Sequence, residues 1–471
     1  MFEEAAVVVQ RLSAAARAEN RAAGQRLAVI GELDVLWLRR FGERETWCTD
    51  TQEAITVEVA AALGITQGLA ASYLDYARAM RLRLPRVGAL LVAGDIDYRM
   101  FQTIVYRSEL ITDAEVLAAV DAQLAVAVPR WPGLTRGRLA AQVDRIVARA
   151  DRDAVRRRRD RQADRELSIW DSGGGLTEVF GRLLSTDARA VDARLDALAA
   201  TVCAGDPRTR NQRRADAMGA LAAGADRLAC GCARPDCPAD TTPTPTPVVI
   251  HLIADKASID GSAPTPGSML GADGLIPAEL IAELAKSATL RPLVHPGDAA
   301  PEAGYTPSQA LADFVRCRDL TCRFPGCERP ALDADIDHTI AHADGGPTHA
   351  SNLKCLCRLH HLLKTFWGWR DQQLPDATII WTAPSGQTYV TTPGSALLFP
   401  GLCAPTGTLD PIPNRPRSAQ RAAMMPKRRH TRAQNHAHYI ATQRRHNRQA
   451  RQAAQRREEA RIIANDEPPP F

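Results

Sequence analysis

The amino-acid sequence predicts an α+β protein, a mainly helical N-terminal region followed by a small cysteine-rich unit that combines short strands with a helix. Three observations predict it. Aromatic residues make up only 5% of the 471-residue chain while Ala and Arg abound, which favours helices packed through Ala and Leu over a β-sandwich. Apolar residues recur at helical spacing through most of the first 230 positions, interrupted by one stretch of strand-like alternation. Between Cys317 and Lys364, cysteines and histidines crowd together at the spacings that metal ligands use.

The length exceeds one ordinary domain of roughly 100–150 residues, so two or three are expected. A hydrophobic fraction of 45% permits a proper core. Met1-Phe2-Glu3-Glu4 is acidic where a secretory signal would be basic, and no apolar run approaches the roughly 20 residues that span a bilayer, so a cytoplasmic location is expected. Thiols stay reduced there, which points the eleven cysteines toward metal and away from a disulfide framework. The net charge of +5 is unevenly spread: from Arg415 onward 14 Lys and Arg face 4 Asp and Glu, so the rest of the chain is net negative.

Helical spacing covers residues 1–33 and 52–63. Val59 to Leu74 reads as helix, turn, helix, with Gly64 in the turn and Thr66 as the cap of the second helix. The stretch 55–78 could enter a DNA groove, but its second helix is not basic. Pro85 and Gly94-Asp95 punctuate further helices at 86–93 and 97–109, followed by 113–128 and 135–163, the last running into Arg156-Arg157-Arg158-Arg159. Alternation in Glu166–Trp170 and Leu176–Phe180, separated by Gly173-Gly174-Gly175, predicts a β-hairpin. Helices at 186–202 and 207–228 come next, then a strand at Val248–Ile253, a helix near 277–288 and a short β extension around Thr378–Val390. The expected division is a helical domain with one hairpin at 1–237, a linker with a short strand and helix at 238–299, the cysteine-rich domain at 300–395, and a basic, disordered tail at 396–471.

Cys322-x4-Cys327 encloses a Pro325-Gly326 turn that would present two sulfurs to one ion, and Cys357 with His360 supplies the other pair of a structural zinc site. Cys317 or Cys355 could replace one member. Positions 357 and 360 share a helix face, whereas His361 is rotated by about 100° from His360, so the adjacent histidines serve different sites. His361 and Lys364 share the second face, which can point at a substrate phosphate. Asp337 is a hard oxygen ligand suited to a divalent cation, His338 can accept a proton near neutral pH, and Asn352 can fix orientation through hydrogen bonds. Farther upstream, Cys230, Cys232 and Cys237 offer three ligands of a second zinc site, with His251 the candidate fourth.

Asp337-His338, Gly345-Gly346, Asn352-Leu353, Cys357-x2-His360-His361 and Lys364, with Cys322-x4-Cys327 beside them, resemble the HNH endonucleases. The closer resemblance is to the mycobacterial 13E12 repeat family, whose front part is called domain of unknown function 222. Arg83-Leu-Pro85, Gly94-Asp-Ile96 and Arg210–Ala217 extend the likeness over most of residues 1–395. The resemblance implies a zinc-stabilised ββα-metal nuclease unit that hydrolyses double-stranded DNA. In it Asp337 and His361 would hold a catalytic Mg²⁺ or Mn²⁺, His338 would be the general base, and Asn352 would hold the site's geometry. Ala341 stands where many members have proline. The competing expectation is a catalytically inactive, zinc-stabilised nucleic-acid-binding protein, a regulator or mobile-element remnant. Retention of Asp337, His338 and His361 argues against it, since a structural zinc fold needs none of the three.

Overall fold

Side-chain caps set the starts of most of the early helices. In the computed structural model these are α1 (Phe2–Phe41), α2 (Thr51–Leu63), α3 (Gln67–Arg78), α4 (Pro85–Ala93), α5 (Tyr98–Ser108), α6 (Ala114–Ala127) and α7 (Arg136–Ala150). Asp50, Thr66, Asp97, Asp113 and Thr135 each accept a hydrogen bond from a backbone N–H two or three residues on, and Gly64 and Gly94 close α2 and α4 in the left-handed region. The structure describes residues 2–131, 133–156, 165–173, 175–239, 250–270, 275–286, 288–407 and 423–466. Helix α7 stops well short of the expected residue 163: Asp151 leaves helical geometry at φ −149°, and residues 157–163 lie outside the described ones.

The chain divides into two compact units. One comprises Arg158–Val294 and Leu397–Pro400. Here the expected hairpin forms from β1 (Glu166–Gly173) and β2 (Leu176–Arg182), antiparallel with Ile169 opposite Val179. Helices α8 (Ser185–Ala199) and α9 (Arg210–Ala222) pack around Leu195, Leu198 and Ala217. A three-stranded antiparallel sheet follows, β3 (His251–Ile253), β4 (Gly267–Leu270) and β5 (Leu275–Ile276), with the short helices α10 (Lys256–Ile259) and α11 (Ala278–Ala285).

The other unit joins Met1–Arg157, His295–Ala396 and Gly401–Phe471. Its later elements are α12 (Gln309–Asp319), the antiparallel pair β6 (Ala334–His338) and β7 (Leu353–Cys357), α13 (Arg358–Phe366), a three-stranded sheet of β8 (Arg370–Gln373), β9 (Ile379–Thr382) and β10 (Thr388–Thr391), and α14 (Arg432–Asp466). The helical region and the cysteine-rich segment, expected as separate domains, share one core here. Leu27, Trp37, Ile55, Leu74 and Leu91 belong to the same buried cluster as Cys322, Phe324, Leu363, Trp367 and Trp381. Trp367 is the hinge of that union: its indole N–H donates to Thr49 O at 3.0 Å, and the rings of Trp37, Phe41 and Trp47 lie 5.7–5.9 Å from its own.

Where a disordered tail is expected, the structure has α14 docked by charge. Arg428 and Arg432 each meet Asp50 at 2.7 Å, Arg444 meets Asp151 at 2.6 Å, and Arg448 and Arg451 hold Asp153 at 3.0 and 2.8 Å. Asn447 is buried and donates to the carbonyls of Asp153 and Val155. The acidic excess of the chain before Arg415 thus receives the basic excess after it. Arg156 is engaged as well, with Glu109 and with Tyr439 Oη, while its neighbours 157–159 lie outside the described residues. No single helix among the described residues is long and apolar enough to cross a membrane.

Removing the Trp367 side chain should cost about 3–5 kcal/mol. Hydrogen exchange of Trp367→Ala should show protection falling together in α1 and α13; loosening confined to α13 would mean that the two regions do not share a core.

Candidate metal centres

Alternation along β6 places Asp335 and Asp337 on one face of the strand, and the antiparallel register sets Asp337 opposite Lys354 and His338 opposite Leu353 of β7. Helix α13 begins directly after Cys357, so β7 delivers one cysteine and α13 the histidines.

Cys322, Cys327, Cys357 and His360 bring three sulfurs and a ring nitrogen within 4.8 Å of one another, a set that could hold a structural ion such as zinc. His360 Nδ1 lies 3.2 Å from Cys357 Sγ and 3.4 Å from Cys322 Sγ. The backbone N–H of Cys357 donates to Cys322 Sγ at 3.3 Å, and Gly326 takes φ +70° in the turn between the first two cysteines. A side chain at Gly326 would also press on Ile65 O, because the turn between α2 and α3 sits against the knuckle. That turn therefore packs against the cysteine loop. The amide of Gln67 at the start of α3 meets His360 Nε2, and Phe324 stacks on the imidazole at 4.0 Å. Cys355, a possible alternative ligand, is buried beside Val315 O, and Cys317 is likewise outside the cluster.

His361 points the other way, as its rotation on the helix requires. Its Nδ1–H donates to Asp335 Oδ2 at 2.8 Å, and its Nε2 faces Asp337 Oδ1 at 3.5 Å. Asp337 Oδ2 is occupied differently, accepting from Lys354 at 2.7 Å and Lys364 at 2.6 Å. Asp371 on β8 completes a buried square of alternating charge, 2.5 Å from Lys354 and 3.2 Å from Lys364. Burial alone would push the Asp337 carboxyl up, but the two ammoniums and His361 outweigh it and hold the group well below the usual carboxylate range. Two atoms are left facing each other, Asp337 Oδ1 and His361 Nε2. A divalent ion could be shared between them. The Asp335–His361 hydrogen bond is the support that metal-bound imidazoles commonly have.

His338 is buried, its ring stacked on exposed Tyr305 at 5.3 Å. Its Nε2 lies 2.9 Å from Thr348 Oγ1, which gives its own hydrogen to Gly304 O at 2.5 Å. Thr348 must therefore accept from His338 Nε2–H, which leaves Nδ1 with the free lone pair. Burial pushes the imidazole down to about 4, against the opposing pull of Asp337, so it is neutral at physiological pH. Asn352 ties the intervening loop: its Oδ1 accepts from Ile340 N at 2.8 Å, and its Nδ2 donates to Ile340 O and Pro347 O at 3.0 and 2.9 Å. Gly346 is pressed so closely against Ile340 O and this amide that a Cβ would overlap, and Gly345 takes φ +94°. Ala341, where proline is common in the resembled family, sits at φ −59°, a value the proline ring would enforce.

Lys364 departs from expectation. Its ammonium does not face solvent; besides Asp337 it donates to His338 O at 2.6 Å and Thr339 O at 3.2 Å. It holds the strand end that carries Asp337 and His338 and does not reach for phosphate. Sequence reasoning missed Asp335, Lys354, Thr348, Asp371, Tyr305 and Gln67. Two of these left a signal: Asp335-x-Asp337 repeats an acid at strand spacing, and Lys354 is a lone charge inside the apolar run Leu353-Lys-Cys-Leu-Cys357. Cys230, Cys232 and Cys237 are joined by Cys203, and His251 is not part of that group but lies exposed on β3.

A family model described as "Domain of unknown function (DUF222)" matches residues 14–319. The chain is 42% identical over 496 residues to "Uncharacterized protein Rv3776" of Mycobacterium tuberculosis (strain ATCC 25618 / H37Rv), covering 99% of this chain and 92% of that protein. It is 43% identical over 482 residues to "Uncharacterized protein Rv2100" of the same strain, covering 93% and 87%. No solved structure matches it.

Lys364→Met should destabilise the fold by about 3 kcal/mol, because it leaves two buried carboxylates to one ammonium. Urea denaturation checks this; a stability equal to wild type would return Lys364 to the role of a solvent-facing phosphate ligand.

Proposed function

The chain belongs to the family described as Domain of unknown function (DUF222), and from that premise we propose that it is an HNH-type, metal-dependent endonuclease that hydrolyses DNA phosphodiester bonds in the cytoplasm. The observation that carries the reading is the open pair Asp337 Oδ1 and His361 Nε2, each held from behind, by two lysines and by Asp335, beside a histidine whose Nδ1 lone pair is free. The set of Cys322, Cys327, Cys357 and His360 would hold a structural zinc that fixes these elements.

One carboxylate oxygen and one imidazole, with two ammoniums near by, make a weak cation site alone. A polyanion that brings its own phosphate oxygens would complete it, which favours a nucleic acid, and double-stranded DNA is the substrate that the resemblance to HNH endonucleases implies. Bound between Asp337 and His361, Mg²⁺ or Mn²⁺ would supply the positive charge that offsets the build-up on the phosphate and on the departing oxygen. In hydrolysis His338 Nδ1 takes the proton of the attacking water, whose oxygen forms the new bond to phosphorus. The bond from phosphorus to the 3′-oxygen breaks, and that oxygen is protonated by solvent. The products carry 5′-phosphate and 3′-hydroxyl ends. Thr348 holds His338 in the tautomer this requires, and Asn352 keeps the loop that spaces His338 from α13. Lys364 acts as a positioning residue through Asp337 and the His338 carbonyl.

The inactive, zinc-stabilised nucleic-acid-binding protein has one observation in its favour, since a purely structural ion-pair square would also bury Asp337 between lysines. It gives no account of why His361 is braced by Asp335 and aimed at the remaining oxygen.

Supercoiled plasmid incubated with the full chain should be cut with Mg²⁺ or Mn²⁺ and left intact with EDTA. His338→Ala should slow cleavage by about 10²–10⁴-fold with zinc content and circular dichroism unchanged. Full activity in this variant, or none in the wild type with either ion, would sink the reading.

A further inference from the structure

A second group of metal-binding side chains lies in the unit that contains α8 and α9. Cys203 stands in the loop after α8, and Cys230, Cys232 and Cys237 in the loop after α9. All four sulfurs lie within 4.8 Å of one another. The Cys203 and Cys230 sulfurs are 3.6 Å apart, far beyond the roughly 2.05 Å of a disulfide and close to the separation of about 3.8 Å that follows from tetrahedral zinc with Zn–S bonds of about 2.3 Å. We propose that Cys203, Cys230, Cys232 and Cys237 bind a zinc ion as a closed tetrathiolate site, separate from the ion at Cys322, Cys327, Cys357 and His360.

Two features beyond proximity support a thiolate cage. Ala233 takes the left-handed φ of +54° directly after Cys232, and the chain turns back so that the Cys237 N–H meets Arg234 O. That is a strained conformation for a residue with a Cβ, and a bond from Cys232 to an ion is a force able to hold it. The two loops are also bolted together beside the sulfurs. Asp206 accepts from Gly231 N at 2.8 Å and from Arg208 at 2.7 Å, and Arg208 also donates to Ala229 O at 2.7 Å.

The site answers a need of its surroundings. Among the described residues, the buried apolar cluster between α8 and α9 is Leu195, Leu198 and Ala217, with Val191, Ala220 and Leu221 partly buried against it, a small core for a helical hairpin. Four thiolates fill every position of a tetrahedral zinc, so the role is structural and leaves none open for a reacting water. Of the arginines around it, Arg194, Arg208, Arg210 and Arg214 each pair with an aspartate of the same unit.

The test is zinc per chain, by mass spectrometry of metals on full-length protein desalted from zinc-supplemented expression. Wild type should carry two equivalents, and titration of its thiols with a mercurial should release both to a zinc-sensitive dye. Cys203→Ser with Cys232→Ser should carry one, Cys327→Ser should carry one, and all three changes together none. Cys237→His, which keeps four zinc ligands, should retain two. A wild type with one equivalent that the Cys203/Cys232 double variant does not lower overturns the proposal, as does a Cys203–Cys230 disulfide found by alkylation and mass mapping of the freshly isolated protein. If Cys327→Ser leaves the count unchanged while the double variant lowers it by one, this site stands and the zinc at residues 322–360 does not.

Discussion

Everything at the candidate active site hangs on His360. Its Nδ1 faces the sulfurs of Cys322 and Cys357, its Nε2 meets Gln67, and its ring lies on Phe324, so one imidazole joins the knuckle, β7, α13 and the N-terminal helices. A helix fixed at His360 has no freedom left about its axis. His361, one position on and about 100° around, is thereby aimed at Asp337. The direction of the His361 face of α13 is set by the contacts of its opposite face.

Charge follows the same division between holding and acting. Lys354, Lys364, Asp337 and Asp371 form a buried square that is neutral overall, and breaking any member would leave an uncompensated charge in a poorly hydrated place. Its use here is directional: both ammoniums take Oδ2 of Asp337, and Oδ1 is left toward His361. Asp319 plays the comparable part behind β7, taking Arg318 and Arg323 on Oδ1 and the Cys355 N–H on Oδ2. These pairs position the strands that carry Asp337 and His338, and of their members Asp337 alone is also a candidate metal ligand.

The sequence made the ligand sets legible where the spacing was local. Cys322-x4-Cys327 and Cys357-x2-His360 need only a turn and a helix to bring their members together, and the opposed faces of His360 and His361 follow from helix geometry alone. What could not be read were pairings across long separations. Gln67 reaches His360 and Cys203 reaches Cys230 through folds that no local pattern encodes. Lys364 misled because an exposed lysine and a buried one are spelled alike, and its partners Asp337 and Asp371 come from β6 and β8. The tail misled for the opposite reason. Its composition suits disorder, and its partners Asp50, Asp151 and Asp153 stand hundreds of residues away.

The central claim is that a divalent ion sits between Asp337 and His361 when DNA is present, and pulsed electron paramagnetic resonance of Mn²⁺ reads that contact directly. With zinc sites filled and a non-cleavable phosphorothioate duplex bound, the wild-type spectrum should show a directly coordinated ¹⁴N that disappears in His361→Ala. A wild-type spectrum without nitrogen coupling, or coupling that persists in His361→Ala, would contradict the account.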